Sequence, residues 1–333
     1  MGADRHAEGF AEERCSDLPN CAPMPPALIR LAADASLAGV AVVWGATFPL
    51  GKLVLRYLGP FHYLGLRFGL AALLMAPLAW RERGRLAPDG LGAGILAGAV
   101  LFAGYALQTV GLRSTTASHA GLITGLNVVM IPLILLVWRR RAPNAALAGA
   151  VLLAASGLWL LLWQGGRPGG GDALVLGCAA ALALQAIIVG QVAAAVPAAP
   201  FAAVQIATVA VLAGAWAVTA EAAPAAVPGS VAGAIVFMAV AATLGAYLAQ
   251  AWAQRVVSPT RTGLLFALEP VAAVGFGAAW LGEALGPRQA AGAAAILLGV
   301  VIGEARPAHE TPARQSGRDA GGRERGGRSH GIA

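Results

Sequence analysis

Charge is scarce in this sequence and unevenly placed. Of the 333 residues, only 12% are Asp, Glu, Lys or Arg, whereas 58% are hydrophobic and the mean hydropathy is +0.71. Soluble domains carry roughly a quarter charged residues, so the composition excludes an ordinary soluble globular protein. Because stretches of about 20 residues contain one charge or none, the sequence is typical of an all-α polytopic membrane protein.

Cysteine is rare, and the motifs of common enzymes are missing. Cys15, Cys21 and Cys178 form no CxxC pair and no Cys/His cluster, so we predict neither a disulfide framework nor a metal site. The stretch 46–53 lacks the first glycine and the final Ser or Thr of a phosphate-binding loop. No nucleophile elbow is present. We therefore predict no catalytic residues, no enzyme activity and no cofactor.

The net charge of +7 could indicate a nucleic-acid partner. However, 9 of the 23 basic residues lie in two polar tails, residues 1–34 and 305–333. Basic segments that flank membrane spans face anionic lipid, so we predict contact with the bilayer and no nucleic-acid partner. Neither tail can bury a core, and the first has no short apolar stretch typical of a signal peptide. Both are predicted to be disordered and cytoplasmic.

Ten apolar segments, each close to membrane-spanning length, fill the rest of the chain. Turn-forming glycines and prolines separate them. If both termini are inside, 17 basic residues lie on the cytoplasmic side and 5 on the outer side, so the sequence predicts an N-in/C-in orientation. The segments lie at about 35–54, 61–80, 90–110, 117–138, 145–163, 172–192, 200–220, 229–252, 260–282 and 287–304.

The two halves of the chain resemble each other at an offset of 142 residues. The matches include rare residue types, since the whole chain has only 4 Tyr and 8 Trp. Each half holds five segments, an odd number, so the second half is predicted to lie upside down relative to the first. Inverted repeats of this kind build many secondary transporters, with the site near the midplane between the halves. The matched pairs are Tyr105/Tyr247, Gln108/Gln250, Arg113/Arg255, Trp138/Trp280 and Asn127/Glu269.

Several stretches, taken in order, resemble EamA-type permeases of the drug/metabolite transporter superfamily. They are VVWGATFPLGK, LRF and ALQTVGLRSTTASHAGLITGLNVVMIPL in the first half, and GDALVLGCAAALA, LEP and WLGE in the second. The resemblance covers residues 36–303. It implies ten transmembrane helices in two inverted five-helix repeats, 35–163 and 172–304. Where family members often carry an aromatic–small pair in the sixth segment, this chain has Leu184-Gln185-Ala186, so no site role is transferred to that segment.

The resemblance also implies a function. We expect a secondary transporter in the bacterial cytoplasmic (inner) membrane that exports or exchanges a small organic metabolite, such as an amino acid or drug-like solute, by alternating access. An intramembrane lipid-modifying enzyme and an uncoupled channel remain alternatives, although no catalytic cluster is visible. A homodimer is compatible with the sequence, which does not fix the oligomeric state, the substrate or the coupling ion.

Two polar residues are predicted at mid-depth of the membrane. Counted along their helices, Glu269 lies about 14 Å and Asn127 about 15 Å from opposite surfaces of a hydrocarbon core roughly 30 Å thick. A carboxylate at that depth costs at least a few kcal/mol to ionise, so it marks a functional hypothesis. We predict that Glu269 holds a coupling proton or contacts a cationic group of the substrate. The structural alternative is that it bonds backbone groups freed by a kink.

Other candidates are weaker. Arg67 is the only Lys or Arg inside a segment and away from its ends; it could line the site, pair with Glu269 or snorkel to the surface. Trp44 could line the cavity, and Gln108 and Gln250 are interpreted as hydrogen-bonding between helices. Because proline removes a backbone hydrogen bond, helix breaks are predicted at Pro49, Pro132 and Pro270.

Overall fold

A computed structural model describes residues 25–115, 117–139, 144–162, 169–224, 226–281 and 286–305. Within these ranges the regular secondary structure is entirely helical. Short 3₁₀ turns follow α3 and α8, and Val240–Gly245 form a π-helical segment between α10 and α11. The α-helices are α1 Pro26–Gly45, α2 Thr47–Val54, α3 Pro60–Glu82, α4 Pro88–Gly111, α5 Ala117–Gly125, α6 Asn127–Arg139, α7 Ala145–Leu162, α8 Gly170–Val192, α9 Ala198–Ala220, α10 Gly229–Ala239, α11 Ala246–Ala253, α12 Pro259–Phe266, α13 Leu268–Leu281 and α14 Pro287–Ala305.

Many of these helices start at a proline, which suits the first turn because its missing N–H would have no intrahelical partner there. Among the described residues, six helical stretches are long and apolar enough to cross a membrane. Their bounds are Pro26–Val54, Pro60–Arg85, Pro88–Gly111, Gly170–Ala195, Ala198–Ala220 and Gly229–Ala253. The chain is therefore a multi-pass helical membrane protein.

The first helix begins earlier than the sequence predicted. Residues 26–34, assigned above to the N-terminal tail, form the first turns of α1. Pro26 starts the helix, and Asp34 is buried there against Arg261 of α12, with 2.7 Å between Oδ2 and Nη2. The sequence prediction stopped at this charged residue because its partner lies 227 residues away.

Three helical stretches are interrupted by a single residue: Ala46 between α1 and α2, Leu126 between α5 and α6, and Ala267 between α12 and α13. Pro49 and Pro270 each lie four residues after the last residue of the preceding helix, so neither can donate to the carbonyl at that helix end. The interruption predicted at Pro132 falls instead at Leu126, and Pro132 lies inside α6. Proline chemistry thus explains two of the three breaks.

Helices from the two halves pack against each other in matched pairs, α3 with α9 and α7 with α14. A Cβ added at Gly157 would lie 2.6 Å from the carbonyl oxygen of Gly292, and one added at Gly299 would lie 2.8 Å from that of Ala150. Residues 150 and 292 are themselves 142 apart, so the two contacts are reciprocal. Because early residues of α7 meet late residues of α14, the two helices run antiparallel.

Candidate functional site

A cavity opens in the interior of the helix bundle, at the level of the interrupted helices. Its volume, measured over positions that the centre of a water molecule can occupy, is about 30 Å³, which is room for a few water molecules. Both halves of the chain contribute to its wall. The lining residues are Trp44, Thr47, Tyr105, Gln108, Thr124, Asn127 and Ile131 from the first half, and Leu182, Gln185, Ala186, Tyr247, Phe266 and Glu269 from the second.

Residues related by the 142-residue offset face each other across this cavity. Tyr247 donates its hydroxyl hydrogen to the hydroxyl oxygen of Tyr105 over 2.9 Å. Asn127 and Glu269 both line the wall. The cavity therefore lies where the two halves meet, and its matched positions carry an amide in one half and a carboxylate in the other.

Glu269 and Asn127 occupy equivalent places in their helices. Asn127 is the first residue of α6 and Glu269 the second of α13, so each lies in the first turn after an interruption. A negative charge in the first turn of a helix is favoured by the helix dipole. Close packing fixes this turn, because a Cβ at Gly45 of α1 would lie 2.8 Å from the carbonyl oxygen of Glu269.

Both side chains are buried without hydrogen-bond partners. Glu269 is 8% exposed, and its carboxylate makes no hydrogen bond or ion pair with any residue that the structure describes. Asn127 is 5% exposed, and its Oδ1 is buried without a donor among those same residues. A buried acceptor left unpaired is unfavourable by about 1–3 kcal/mol, and more if it is charged. The Glu269 side chain thus lines the cavity without a hydrogen-bond partner, whereas Asn127 Oδ1 has almost no accessible surface.

Arg67 lies behind the cavity wall and is not one of its lining residues. It is 2% exposed, so it does not snorkel to the surface. Its guanidinium donates to Thr243 Oγ1 over 2.7 Å, to the Ala242 carbonyl over 3.0 Å and to the Tyr63 hydroxyl over 3.1 Å. Within the described part of the chain, Arg67 and Glu269 form no ion pair. The hypothesis of a direct pair is therefore wrong.

Trp44 lines the cavity and is fixed by the same carbonyl that binds Arg67. Its Nε1 donates to the Ala242 oxygen over 2.9 Å, within the π-helical segment. Its ring packs on Phe266 and Tyr247, with centroid distances of 4.9 and 5.8 Å. The π-helical segment of the second half thus positions the Trp44 ring, which the first half contributes to the cavity wall. Segments of this kind are frequent at functional sites.

Glutamines in the second half form a buried network of which the sequence analysis identified only Gln250. Gln185 lines the cavity and donates to Gln205 Oε1 over 2.9 Å, while Gln250 donates to Gln185 over 3.1 Å and to Gln254 over 2.9 Å. Gln108, the counterpart of Gln250, lines the cavity itself and donates to Thr124. The sixth segment therefore does reach the cavity, through Gln185. The sequence analysis transferred no site role to this segment because it lacks the aromatic–small pair of the family.

The predicted prolines lie near the cavity but do not line it. Pro49 is exposed, whereas Pro132 and Pro270 are buried. Pro270 packs against α5 at Gly125, because a Cβ added to Gly125 would lie 3.3 Å from the Pro270 ring. These residues act on the shape of α2, α6 and α13, whereas the chemistry of the cavity comes from Glu269, Asn127 and the aromatic rings.

Polar contacts close the bundle on either side of the cavity. At one end, Arg261 pairs with Asp34. At the other, Lys52 Nζ donates to the Thr115 carbonyl over 2.6 Å, and the Thr115 hydroxyl donates to Asp172. Within the described ranges, no group of three or more His, Cys, Asp or Glu residues could hold a metal ion.

Fold and cavity together define a multi-pass membrane protein with a polar chamber between two similar halves. The sequence model of the EamA-like transporter family matches residues 31–163 and 169–302. The chain belongs to this family.

Similar proteins agree with this assignment. A protein of Archaeoglobus fulgidus named "Uncharacterized transporter" is 34% identical over 282 residues, which is 82% of this chain and 86% of that protein. A second protein of that organism and name is 35% identical over 135 residues, 39% of this chain and 45% of its own length. A protein of known crystal structure shares the fold, with a TM-score of 0.68 and 20% identity over 81% of this chain and 95% of its own.

Proposed function

We propose that the protein is a secondary transporter that exports or exchanges a small organic metabolite, such as an amino acid or drug-like solute, by alternating access. The observation that carries this proposal is the cavity, which is shared between the two halves and contains an unpartnered buried carboxylate at Glu269. A charged group in the membrane interior that has no structural partner is typical of a solute or ion pathway. Membership of the EamA-like transporter family supports the same conclusion.

The proposed topology has ten membrane crossings in two inverted five-helix repeats, with both termini in the cytoplasm of a bacterial cell and the bundle in its inner membrane. Each interrupted helical stretch counts as one crossing. The reciprocal contacts of α7 with α14 support this arrangement, because antiparallel packing of matched helices is expected when the second repeat is upside down. The 17 basic residues assigned to the cytoplasmic side support the orientation.

Alternating access follows from opening one end at a time. A cavity of about 30 Å³ is too small for most metabolites, so the proposed cycle requires the cavity to widen. Under the proposed orientation, the Arg261–Asp34 pair closes the cytoplasmic end and the Lys52–Thr115–Asp172 contacts close the outer end. Rocking of one repeat against the other would break one set of contacts and keep the other.

Counterflow in proteoliposomes tests this function. Metabolite profiles of the medium from cells with and without the protein first identify an exported solute. We expect vesicles loaded with that unlabelled solute to accumulate its labelled form transiently, with saturable kinetics. Replacing Glu269 with Gln should reduce the initial rate at least about tenfold, since the variant loses the charge that a buried partner requires.

The matched control is Asp89→Asn, which removes one carboxylate from an exposed position in the first turn of α4. This variant should transport like the wild type. Flux that rises linearly with concentration and shows no counterflow would indicate a channel, and chemical alteration of vesicle lipid would indicate an enzyme; either result contradicts the proposal.

A further inference from the structure

The third and eighth segments occupy matched places in the two halves, and their helices differ in length by one residue. In the first half, α4 covers Pro88–Gly111, which is 24 residues, without interruption. In the second half, the stretch Gly229–Ala253 has 25 residues and includes the π-helical segment Val240–Gly245. A π turn accommodates one extra residue in an α-helix, because its hydrogen bonds span five residues instead of four. The length difference equals one such residue.

The ends of the two stretches match each other, so the difference is internal. Each stretch follows a cap residue with a similar backbone angle, ψ 159° at Ala87 and 149° at Pro228, and these caps lie 141 positions apart. At the other end, the N–H of the residue after each helix bonds the carbonyl of a glutamine, Gln108 or Gln250, and these lie 142 positions apart. The offset grows by one residue within the stretch. The second half therefore carries one inserted residue, which the π-helical segment takes up.

The inserted residue is not needed to bring side chains to the cavity. In α4, Tyr105 and Gln108 reach the cavity from a regular helix. One extra residue in a regular helix would rotate everything after it by about 100°. The π turn absorbs that rotation, so that Tyr247 still meets Tyr105. What the insertion adds must therefore lie within the π-helical segment.

The segment frees a backbone acceptor for two side chains. The N–H of Ala246, which an α-helix would direct to the Ala242 carbonyl, bonds the Thr243 carbonyl instead. The Ala242 oxygen accepts from Trp44 Nε1 over 2.9 Å and from Arg67 Nη2 over 3.0 Å. Both donors belong to the first half, so a carbonyl of the second half holds two helices of the first.

The hydroxyl of Thr243 completes the arrangement. It donates to the Met238 carbonyl, five residues earlier, over 2.8 Å and accepts from Arg67 Nε over 2.7 Å. Ala242 and Thr243 have no exposed surface, and Arg67 is 2% exposed. Because a buried polar group is unfavourable when unpaired, the guanidinium and the π-helical segment each supply what the other lacks.

We propose that the inserted residue creates an acceptor pair, the Ala242 carbonyl and the Thr243 hydroxyl, whose role is to hold Arg67 and Trp44. Arg67 is then a positioning residue, since it contacts no cavity space but lies 5.1 Å from the centroid of the Tyr105 ring. The acceptor pair fixes the Trp44 ring in the cavity wall through the same carbonyl. This inference concerns how the wall is held and does not depend on the proposed transport.

Deleting Val240 tests the proposal. Without this residue the stretch has the length of α4 and can form a continuous α-helix, in which the Ala242 carbonyl bonds an amide again. In lipid nanodiscs, we expect Arg67→Met to lower the unfolding temperature of the otherwise native chain. In the deletion variant the same substitution should raise it, because methionine removes a buried guanidinium that has lost its carbonyl acceptor.

The matched control deletes Ala99, at the corresponding place in α4. This helix has no inserted residue, so the deletion displaces its contacts by one position. It should unfold at a lower temperature than the Val240 deletion or fail to fold, and Arg67→Met should not restore it. If Arg67→Met lowers the unfolding temperature equally with and without Val240, or if the two deletions are equally harmful, the acceptor pair is contradicted.

Hydrogen exchange of the full-length chain gives a second measurement, which decides the question if neither deletion variant folds. Trp44→Phe keeps an aromatic ring but removes one donor to Ala242. We expect amide exchange in residues 240–246 to become about three- to tenfold faster, with exchange in residues 98–104 of α4 unchanged. Trp80→Phe, at an exposed position, should change neither. Unaltered exchange of residues 240–246 in the Trp44 variant would overturn the proposal.

The outcomes separate this inference from the proposed function, because neither measurement requires a solute. Opposite effects of Arg67→Met in the two backgrounds, together with local exchange in the Trp44 variant, would support the acceptor pair even if the protein showed no counterflow. Successful counterflow with equal effects in both backgrounds would support transport and contradict the acceptor pair.

Discussion

At the scale of single residues, hydrogen-bond partners separate two buried charges that look alike in the sequence. Arg67 and Glu269 are each a charged residue well inside an apolar segment, and both are more than nine-tenths buried. All the hydrogen-bond partners of Arg67 are neutral groups of the protein, whereas Glu269 has no hydrogen-bond partner among the described residues. A structural role for Arg67 and a solute-binding role for Glu269 are the predictions that follow.

Arg67→Lys should destabilise the protein although it keeps the charge. The planar guanidinium of Arg67 donates to three acceptors at once, whereas the ammonium group of a flexible lysine side chain cannot bond all three in the same geometry. We expect a loss of about 1–3 kcal/mol, since bonds to charged groups contribute about that much. The measurement is the unfolding temperature of the purified protein in detergent.

The control for this substitution is Arg56→Lys, made at an exposed position. It should change stability by no more than about 0.5 kcal/mol. Equal unfolding temperatures for the Arg67 and Arg56 variants would mean that the hydrogen bonds to Thr243, Ala242 and Tyr63 contribute nothing.

At the scale of the helices, interruptions and close contacts place the polar groups of the cavity. Asn127 is the first residue after the break at Leu126 and Glu269 the second after the break at Ala267, so each lies in the first turn of a new helix. Gly45 ends α1 just before the break at Ala46 and touches the backbone of α13 at Glu269. Two contacts thus explain the Trp44-Gly45 pair at the end of α1. The Trp44 ring lines the cavity, and Gly45 allows the backbones of α1 and α13 to approach closely.

Gly45→Ala should destabilise the protein and reduce transport. Its Cβ would lie 2.8 Å from both the Glu269 carbonyl oxygen and the Ala273 nitrogen, and these backbone atoms cannot move aside without shifting α13. Overpacking of this kind is unfavourable by about 1–3 kcal/mol. The unfolding temperature and the counterflow rate measure the two effects.

Gly39 in the same helix provides the matched variant, because a Cβ there would have nothing within 4 Å. Gly39→Ala should be neutral, or stabilising by up to about 1 kcal/mol, since alanine favours the helix. If the Gly39 and Gly45 variants unfold at the same temperature, the close approach of α1 and α13 is not a constraint.

At the scale of the whole molecule, the two halves are alike in packing but not in chemistry. The contacts of Gly157 and Gly299 are reciprocal, whereas the π-helical segment and the glutamine network occur in the second half alone within the described ranges. Under the proposed transport cycle, the similar halves would permit two similar end states, and the unequal polar groups would give each state its own energy.

Cysteine labelling from one side of the membrane tests the proposed topology. In a variant without the native cysteines, Arg113→Cys and Gly229→Cys should react with an impermeant reagent applied to whole cells, because both positions are exposed at the proposed outer end. Gly84→Cys and Ala194→Cys, exposed at the other end, should react only after the cells are opened. Labelling of Gly84 and Gly229 from the same side would contradict the inverted arrangement, since these positions lie in corresponding loops of the two halves.

The sequence by itself determined the class of protein, because burying about 20 apolar residues per segment is feasible only in a membrane. It also indicated the repeat, since Tyr105/Tyr247 and Asn127/Glu269 match at a constant offset, and the chain belongs to the family that its motifs resemble. Only the tertiary structure decided which of these residues meet. The pairing of Asp34 with Arg261, the three acceptors around Arg67 and the contribution of Gln185 to the cavity all join positions distant in the chain. Hydropathy and spacing report what each segment is made of, but whether a buried polar group has a partner depends on helix rotation and packing, which local sequence does not encode.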